Sequence, residues 1–206
     1  NPLALTINEK VLQVRAFFLH NAIYMKIKNH LLEGVNFLSS PNYNDRPVDI
    51  KISLIVIHSI SLPPTIFGND YVENFFLNNL PETKIKYLND IKDMRVSSHI
   101  YIKRSGDIIQ FVPFNKRAWH AGKSSFENKE DCNDYSIGIE LEGCEDIAFE
   151  NIQYIKLSEI MNCLIDNYEN LNVDRIVSHS DIAPGRKADP GPLFDWKRLK
   201  TMIKYN

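Results

Sequence analysis

Cysteine is scarce and shows no pairing pattern. The 206 residues include three, Cys132, Cys144 and Cys163, and no two of them stand in a C-x-x-C spacing. An odd count without that spacing argues against a disulfide framework and for a reducing compartment, with each thiol read as a small buried hydrophobe. No run approaches the roughly 18 consecutive apolar residues that a membrane-spanning helix needs, so no span is expected. Neither sign of charge dominates: 24 Lys and Arg stand against 26 Asp and Glu, a formal net charge of −2. Such a balance implies no basic face and argues against a nucleic-acid binder. Internal repeats and low-complexity tracts are absent too. What is present, 44% hydrophobic and 24% charged residues, is the make-up of an ordinary soluble protein, and the length suits one domain with a full core.

Residues 1–24 read as an N-terminal extension outside the functional domain, which is expected over 25–206. The chain does not open on Met, and Met25 offers a natural start. The apolar stretch Val11–Leu19 is short and is interrupted by His20 and Asn21. No charged n-region or small-residue cleavage site frames it, so it fits a signal peptide poorly.

Residues 36–50, rich in Ser, Pro, Asn and Asp, suggest an irregular entry segment. Lys51 to His58 is a nearly continuous apolar run of the kind that makes a buried strand, and it is halted by Pro63 and Pro64. Residues 70–95 suggest short helices and surface loop. The clearest hairpin joins 97–102 to 107–112 through Arg104-Ser105-Gly106-Asp107. Ser136 to Glu142 alternates, with Ile137, Ile139 and Leu141 on one face and Gly138, Glu140 and Glu142 on the other. Residues 151–167 carry Ile152, Ile155, Ile160, Leu164 and Ile165 at amphipathic-helix spacing, 175–178 is a short strand, and 194–203 closes the chain as a helix.

The chemistry concentrates in two places. His58 ends the apolar strand. His179 follows a short strand, and Asp189 comes after nine intervening residues, past a loop containing Arg186 and Lys187 and stiffened by Pro184, Gly185 and Pro190-Gly191-Pro192. Two His and one Asp can supply the three protein ligands of a catalytic zinc, with the fourth position open to water. Each residue alone has a plainer reading: a structural His, or in the case of Asp189 a cap for the helix that starts near Asp195. Lys187 is two residues from Asp189, so in extended chain it faces the same way and can stabilise an oxyanion; otherwise it is a solvated loop Lys. Glu140, between apolar neighbours, is a candidate general base with a raised pKa, or else a Glu on an exposed sheet face. Glu142 shares that face and is its rival.

These segments resemble a known family. Ile57-His58-Ser59-Ile60-Ser61-Leu62-Pro63-Pro64, Val96-Ser97-Ser98-His99, Arg117-Ala118-Trp119-His120-Ala121-Gly122, Cys132 to Gly143 and His179 to Trp196 occur in the order found in the zinc N-acetylmuramoyl-L-alanine amidases. The likeness runs from about Leu31 to Ile203 and is nearest to the AmpD type, which is cytoplasmic and acts in cell-wall recycling. The resemblance implies a single-domain α/β fold, a central mixed β-sheet with helices on both faces, shared with phage T7 lysozyme and the peptidoglycan recognition proteins. It implies Zn2+ held by His58, His179 and Asp189, with Glu140 activating water and Lys187 meeting the carbonyl oxygen. It further implies hydrolysis of the bond between the lactyl group of (1,6-anhydro-)N-acetylmuramic acid and L-alanine in a muropeptide, with no membrane, nucleic acid or obligate protein partner.

Trp119 and His120 are candidate substrate-groove residues, since an aromatic face beside a polar tip suits a sugar or a peptide backbone. Arg95 is a candidate partner for a stem-peptide carboxylate, and His99 reads as structural support. Two departures from the family pattern, Ser59 where Asn is common and acidic Glu130-Asp131 where a basic residue is expected, bear on substrate preference and leave the metal site untouched. The alternatives are a lytic amidase acting on intact peptidoglycan and, in a different class, a non-catalytic peptidoglycan-binding module.

Overall fold

The computed structural model describes residues 25–203; the 1–24 extension lies outside the described residues. The apolar run forms the strand Leu54–Ile60, with Leu54 to Ile57 fully buried. A strand this apolar on both sides needs cover on both faces, the usual state of a parallel strand inside a sheet. It lies between two parallel partners, Ser136–Glu142 and Ile176–Ser178. Beyond Ser136–Glu142 the six-stranded sheet continues through Ile100–Ile102, Ile108–Gln110 and Asn36–Phe37. Only the expected hairpin, Ile100–Ile102 with Ile108–Gln110, pairs antiparallel; the other neighbouring pairs are parallel, so the sheet is mixed.

Alternation sorts the side chains between two faces. Ile55, Ile57, Ile100, Ile102, Ile137 and Ile139 enter one core with the helix Asn151–Asn167 and with Leu199 of the helix Trp196–Met202. The long helix lies where expected, but its buried stripe runs through Tyr154, Leu157, Ile160, Met161 and Leu164, while Ile155 is exposed. Leu54, Val56 and Val177 point the other way, against Ala121, Cys132, Tyr135 and Ile182. Tyr101 and Ile109 pack with Val72, Phe75 and Phe76 of the helix Tyr71–Phe76 and with Leu88 of the helix Lys86–Ile91.

The expectation for 36–50 needs correction. Asn36–Phe37 closes one edge of the sheet, and Tyr43–Asp45 pairs antiparallel with Lys116–Ala118. Arg46 then spans the interior, donating to the carbonyls of Phe114, Asn133, Asp134 and Ser136. This segment is held by partners some 70–90 positions away, which local composition does not reveal.

Candidate functional site

Parallel strands deliver their carboxyl ends to one edge, the place where open α/β sheets present functional groups. His58 stands near the end of its strand and is aligned with Glu140 on the adjacent strand, so the two side chains share a face. Ser178, aligned with Ile57, ends the third strand and opens the short helix His179–Ile182 with a reciprocal cap: its hydroxyl accepts from Asp181 N–H and its own N–H donates to the Asp181 carboxylate. His179 is therefore set one position beyond the strand, beside His58. The loop after it returns so that the Asp189 carbonyl accepts from Ser180 N–H at 3.1 Å. Asp189 is not the cap of the last helix; Asp195 fills that role by accepting from Arg198 N–H.

Three atoms converge there. His58 Nδ1 and His179 Nδ1 are 2.9 Å apart, and Asp189 Oδ2 is 3.2 Å from the first and 3.0 Å from the second. Donors at tetrahedral angles and 2.0–2.1 Å around a zinc ion stand about 3.3 Å apart, so the triangle has close to the required size. Protonation fits as well. His179 Nε2 lies 3.1 Å from the Ala121 carbonyl, which can only accept, so in the neutral ring the proton is on Nε2 and Nδ1 turns a lone pair toward the carboxylate. Lone pairs converging on a carboxylate oxygen call for a cation between them. Among the described residues, these three form the cluster able to hold a metal ion.

Burial pushes the His58 imidazolium down to about 4, with the charges of His179 and Lys187 acting the same way and Asp189 opposing, so the ring is neutral at neutral pH. Burial works against the Asp189 carboxylate, and its pKa falls below the usual range only as far as the two imidazoles present a proton or positive charge to it, the place a bound cation would take.

The two glutamates on the Ser136–Glu142 strand have different surroundings. Both are buried, which removes the exposed-face reading, because this strand is central and covered on both sides. The Glu142 carboxylate is held by Gly68 N–H at 2.5 Å and Arg104 N–H at 2.9 Å. Glu140 has a buried Oε2 with no hydrogen-bond partner. Burial, then the nearby Asp189 charge, raises its pKa well above the usual range, while Lys187 works against the rise. Lys187 itself is exposed on the rim, near enough for its charge to reach both Glu140 and His58.

Glu140, His179, Lys187 and Asp189 line a cleft of about 780 Å³. The lining also includes the apolar side chains Phe75, Tyr87, Ile91 and Met94, contributed by the 70–95 segment. Trp119 also lines the cleft, its indole N–H donating to Asn44 Oδ1 at 2.7 Å. His120 borders the cleft, but both ring nitrogens are engaged within the protein, by His58 and by Ser136. Arg95 does not reach the cleft. Its guanidinium turns back onto the carbonyls of Lys92 and Met94, just past the helix Lys86–Ile91, where backbone acceptors are left free. Glu130 and Asp131 are exposed and away from the lining, whereas Ser59 belongs to it. His99 serves the structure: Nδ1 accepts from Gly138 N–H and Nε2 donates to the Lys116 carbonyl.

Sequence reasoning passed over Asn133 and Gly138. Asn133 Oδ1 accepts from both His120 N–H and Ala121 N–H, fixing the loop that backs the two histidines. A Cβ on Gly138 would fall 2.4 Å from the His120 ring. An isolated Gly inside a strand pattern is the signal that pointed to such a close approach.

The family model for N-acetylmuramoyl-L-alanine amidase matches residues 48–192, a span that includes His58, Glu140, His179, Lys187 and Asp189. The chain belongs to the N-acetylmuramoyl-L-alanine amidase family of enzymes. It is 47% identical over 178 residues to the 1,6-anhydro-N-acetylmuramyl-L-alanine amidase AmpD of Haemophilus influenzae (strain ATCC 51907 / DSM 11121 / KW20 / Rd), covering 86% of this chain and 97% of that one. Its fold is similar to the crystal structure of a selenomethionine AmpD derivative, with a TM-score of 0.84 and 43% identity over 87% of this chain and 100% of that one. It is also similar to the amidase AmiD from Escherichia coli, solved in complex with the substrate anhydro-N-acetylmuramic acid-L-Ala-D-γ-Glu-L-Lys, with a TM-score of 0.54 and 28% identity over 88% of this chain and 67% of that one. The expected single-domain mixed α/β architecture agrees with these structures.

Proposed function

We propose that this chain is a zinc-dependent amidase of cell-wall recycling. It cleaves the amide between the lactyl group of 1,6-anhydro-N-acetylmuramic acid and L-alanine in soluble muropeptides, in the cytoplasm. The observation that carries the reading is the triangle of His58, His179 and Asp189 at the edge of a cleft, with an unpartnered buried carboxylate, Glu140, beside it. The activity named for the Haemophilus influenzae relative and the substrate held by AmiD support the bond and the sugar. Three free cysteines suit a reducing compartment.

His58, His179 and Asp189 would hold the zinc through Nδ1, Nδ1 and Oδ2. When bound, the ion acidifies a water and polarises a carbonyl. Burial raises the pKa of Glu140 well above the usual carboxylate range, the direction a general base needs. It takes a proton as the water oxygen bonds to the lactyl carbonyl carbon, and returns it to the alanine nitrogen as the C–N bond breaks. Lys187 supplies a cation on the rim for the charge that develops on the carbonyl oxygen. The apolar side chains of the cleft and Trp119 offer faces for the substrate.

Parallel assays on a soluble anhydro-muropeptide and on intact peptidoglycan test the substrate class. Faster release of stem peptide from the soluble compound is expected; preferential cleavage of intact wall would move the chain to the lytic amidases.

A further inference from the structure

His58 meets the converging site through Nδ1, so its proton must be on Nε2. Nothing in an isolated imidazole fixes that choice; the hydrogen bond at the outer nitrogen does. In this chain the outer partner is another histidine, His120, whose Nδ1 lies 2.9 Å from His58 Nε2. A histidine is an ambiguous partner, because each of its nitrogens can donate or accept. The ambiguity is resolved two bonds further out. His120 Nε2 is 3.2 Å from Ser136 Oγ, and the Ser136 hydroxyl is 2.5 Å from the Cys132 carbonyl. A carbonyl can only accept, so the single hydroxyl proton of Ser136 goes to Cys132. Ser136 Oγ must then accept from His120 Nε2–H, which leaves His120 Nδ1 as an acceptor. His58 Nε2–H donates to it, and His58 Nδ1 is bare.

We infer that His120 and Ser136, anchored on the Cys132 carbonyl, form a directional proton relay that locks His58 in the tautomer able to bind the metal. His120 is thus a positioning residue and not a substrate contact. The surroundings are built for this. Gly138 clears the space the His120 ring occupies, and Asn133 pins the backbone of His120 and Ala121 together. The Ala121 carbonyl in turn accepts from His179 Nε2 at 3.1 Å and from the Arg186 guanidinium at 2.6 Å. One loop therefore sets the protonation of both histidines, His58 through a side-chain relay and His179 through a backbone carbonyl.

The inference rests on the metal-site reading for its purpose, but the tautomer can be read without any metal. Two-bond 15N–1H correlation spectra of the zinc-free protein should show the His58 proton on Nε2. In Ser136→Ala, where His120 loses its fixed acceptor, the His58 signals should shift toward a mixture of tautomers. Zinc affinity, measured by competition with a chromophoric chelator, should fall by roughly 10–100-fold in His120→Leu, the usual cost of losing a partner of a ligating histidine. His120→Asn should keep most of the affinity, since an amide oxygen near the Nδ1 position can only accept. A packing role would reverse that order, because Leu fills the space and Asn does not. His58 protonated on Nδ1 in the wild-type protein, or a His120→Leu variant that binds zinc as the wild type does, would overturn the relay. A wild-type chain showing the expected tautomer but binding no zinc would support the relay while sinking the zinc reading.

Discussion

Replacing Glu140 by Gln should separate activity from stability. The substitution keeps the shape and removes the proton acceptor. A positioned general base contributes about 10²–10⁴-fold, so kcat should fall by that factor, about 2.7–5.4 kcal/mol of barrier. The fold should not suffer. Glu140 Oε2 is buried and accepts no hydrogen bond, and burial already disfavours its charged form, so a neutral amide gives up nothing that the carboxylate gained. The melting temperature should stay level or rise, as when a strained functional group is removed. Glu142→Gln is the mirror experiment, two residues along the same strand. Its carboxylate holds Gly68 N–H and Arg104 N–H, and an amide can accept through only one of its two heavy atoms. Losing a hydrogen bond to a charged group costs about 2 kcal/mol, or about 4–8 °C in a chain of this size. Its activity per folded molecule should stay near the wild-type level. The assay is initial-rate release of stem peptide, with calorimetric melting of each variant. If Glu140→Gln kept a tenth or more of the wild-type kcat, or if Glu142→Gln lost activity at unchanged stability, the assignment of the two carboxylates would be wrong.

Asp189→Asn should bring zinc content close to zero and abolish turnover, which elemental analysis per chain and the same rate assay would read. Gly138→Ala places a methyl against the His120 ring and should cost about 1–3 kcal/mol by overpacking, together with weaker zinc binding; urea unfolding checks the first and chelator competition the second. Stability of the zinc-free protein should fall with acid in a part traceable to His99. Burial lowers its pKa to about 3 from the ordinary 6.5, so the unfolded chain binds the proton more readily. Its contribution is complete above about pH 6.5 and is lost toward pH 3 by up to about 1.4 kcal/mol per pH unit. Urea titrations between pH 7.5 and 4.5 should show a shallower slope in His99→Gln; equal slopes would contradict this.

Legibility in the sequence followed the length and periodicity of each element. Leu54–Ile60 and Ser136–Glu142 announce themselves because seven residues of apolar run or alternation have few other uses, and Asn151–Asn167 has room for more than four helical turns. The exact stripe of that helix was less readable, since Ile152 and Ile155 satisfy the same spacing as Tyr154 and Leu157. Tyr43–Asp45 offers three polar or aromatic residues whose partner is Lys116–Ala118, so no local pattern marks it. The candidate ligands were visible because strand ends and Pro/Gly-stiffened loops are where side chains are held for use. The place of His120 was not visible. Whether a loop histidine faces substrate or the back of a ligand depends on its approach to Gly138 and Ser136, a contact made by the fold. Arg95 shows the opposite failure: a chemically suitable guanidinium, spent on carbonyls past a short helix.

The most direct test of the zinc amidase reading is mass spectrometry of a soluble anhydro-muropeptide incubated with the protein as prepared, after stripping with a chelator, and after adding back zinc. Free stem peptide and anhydro-muramyl sugar are expected in the first and third samples and neither in the second, with activity restored at about one zinc per chain, matching the three-ligand site found among the described residues. Release that continues unchanged in the stripped protein, or no release in any of the three, would contradict it.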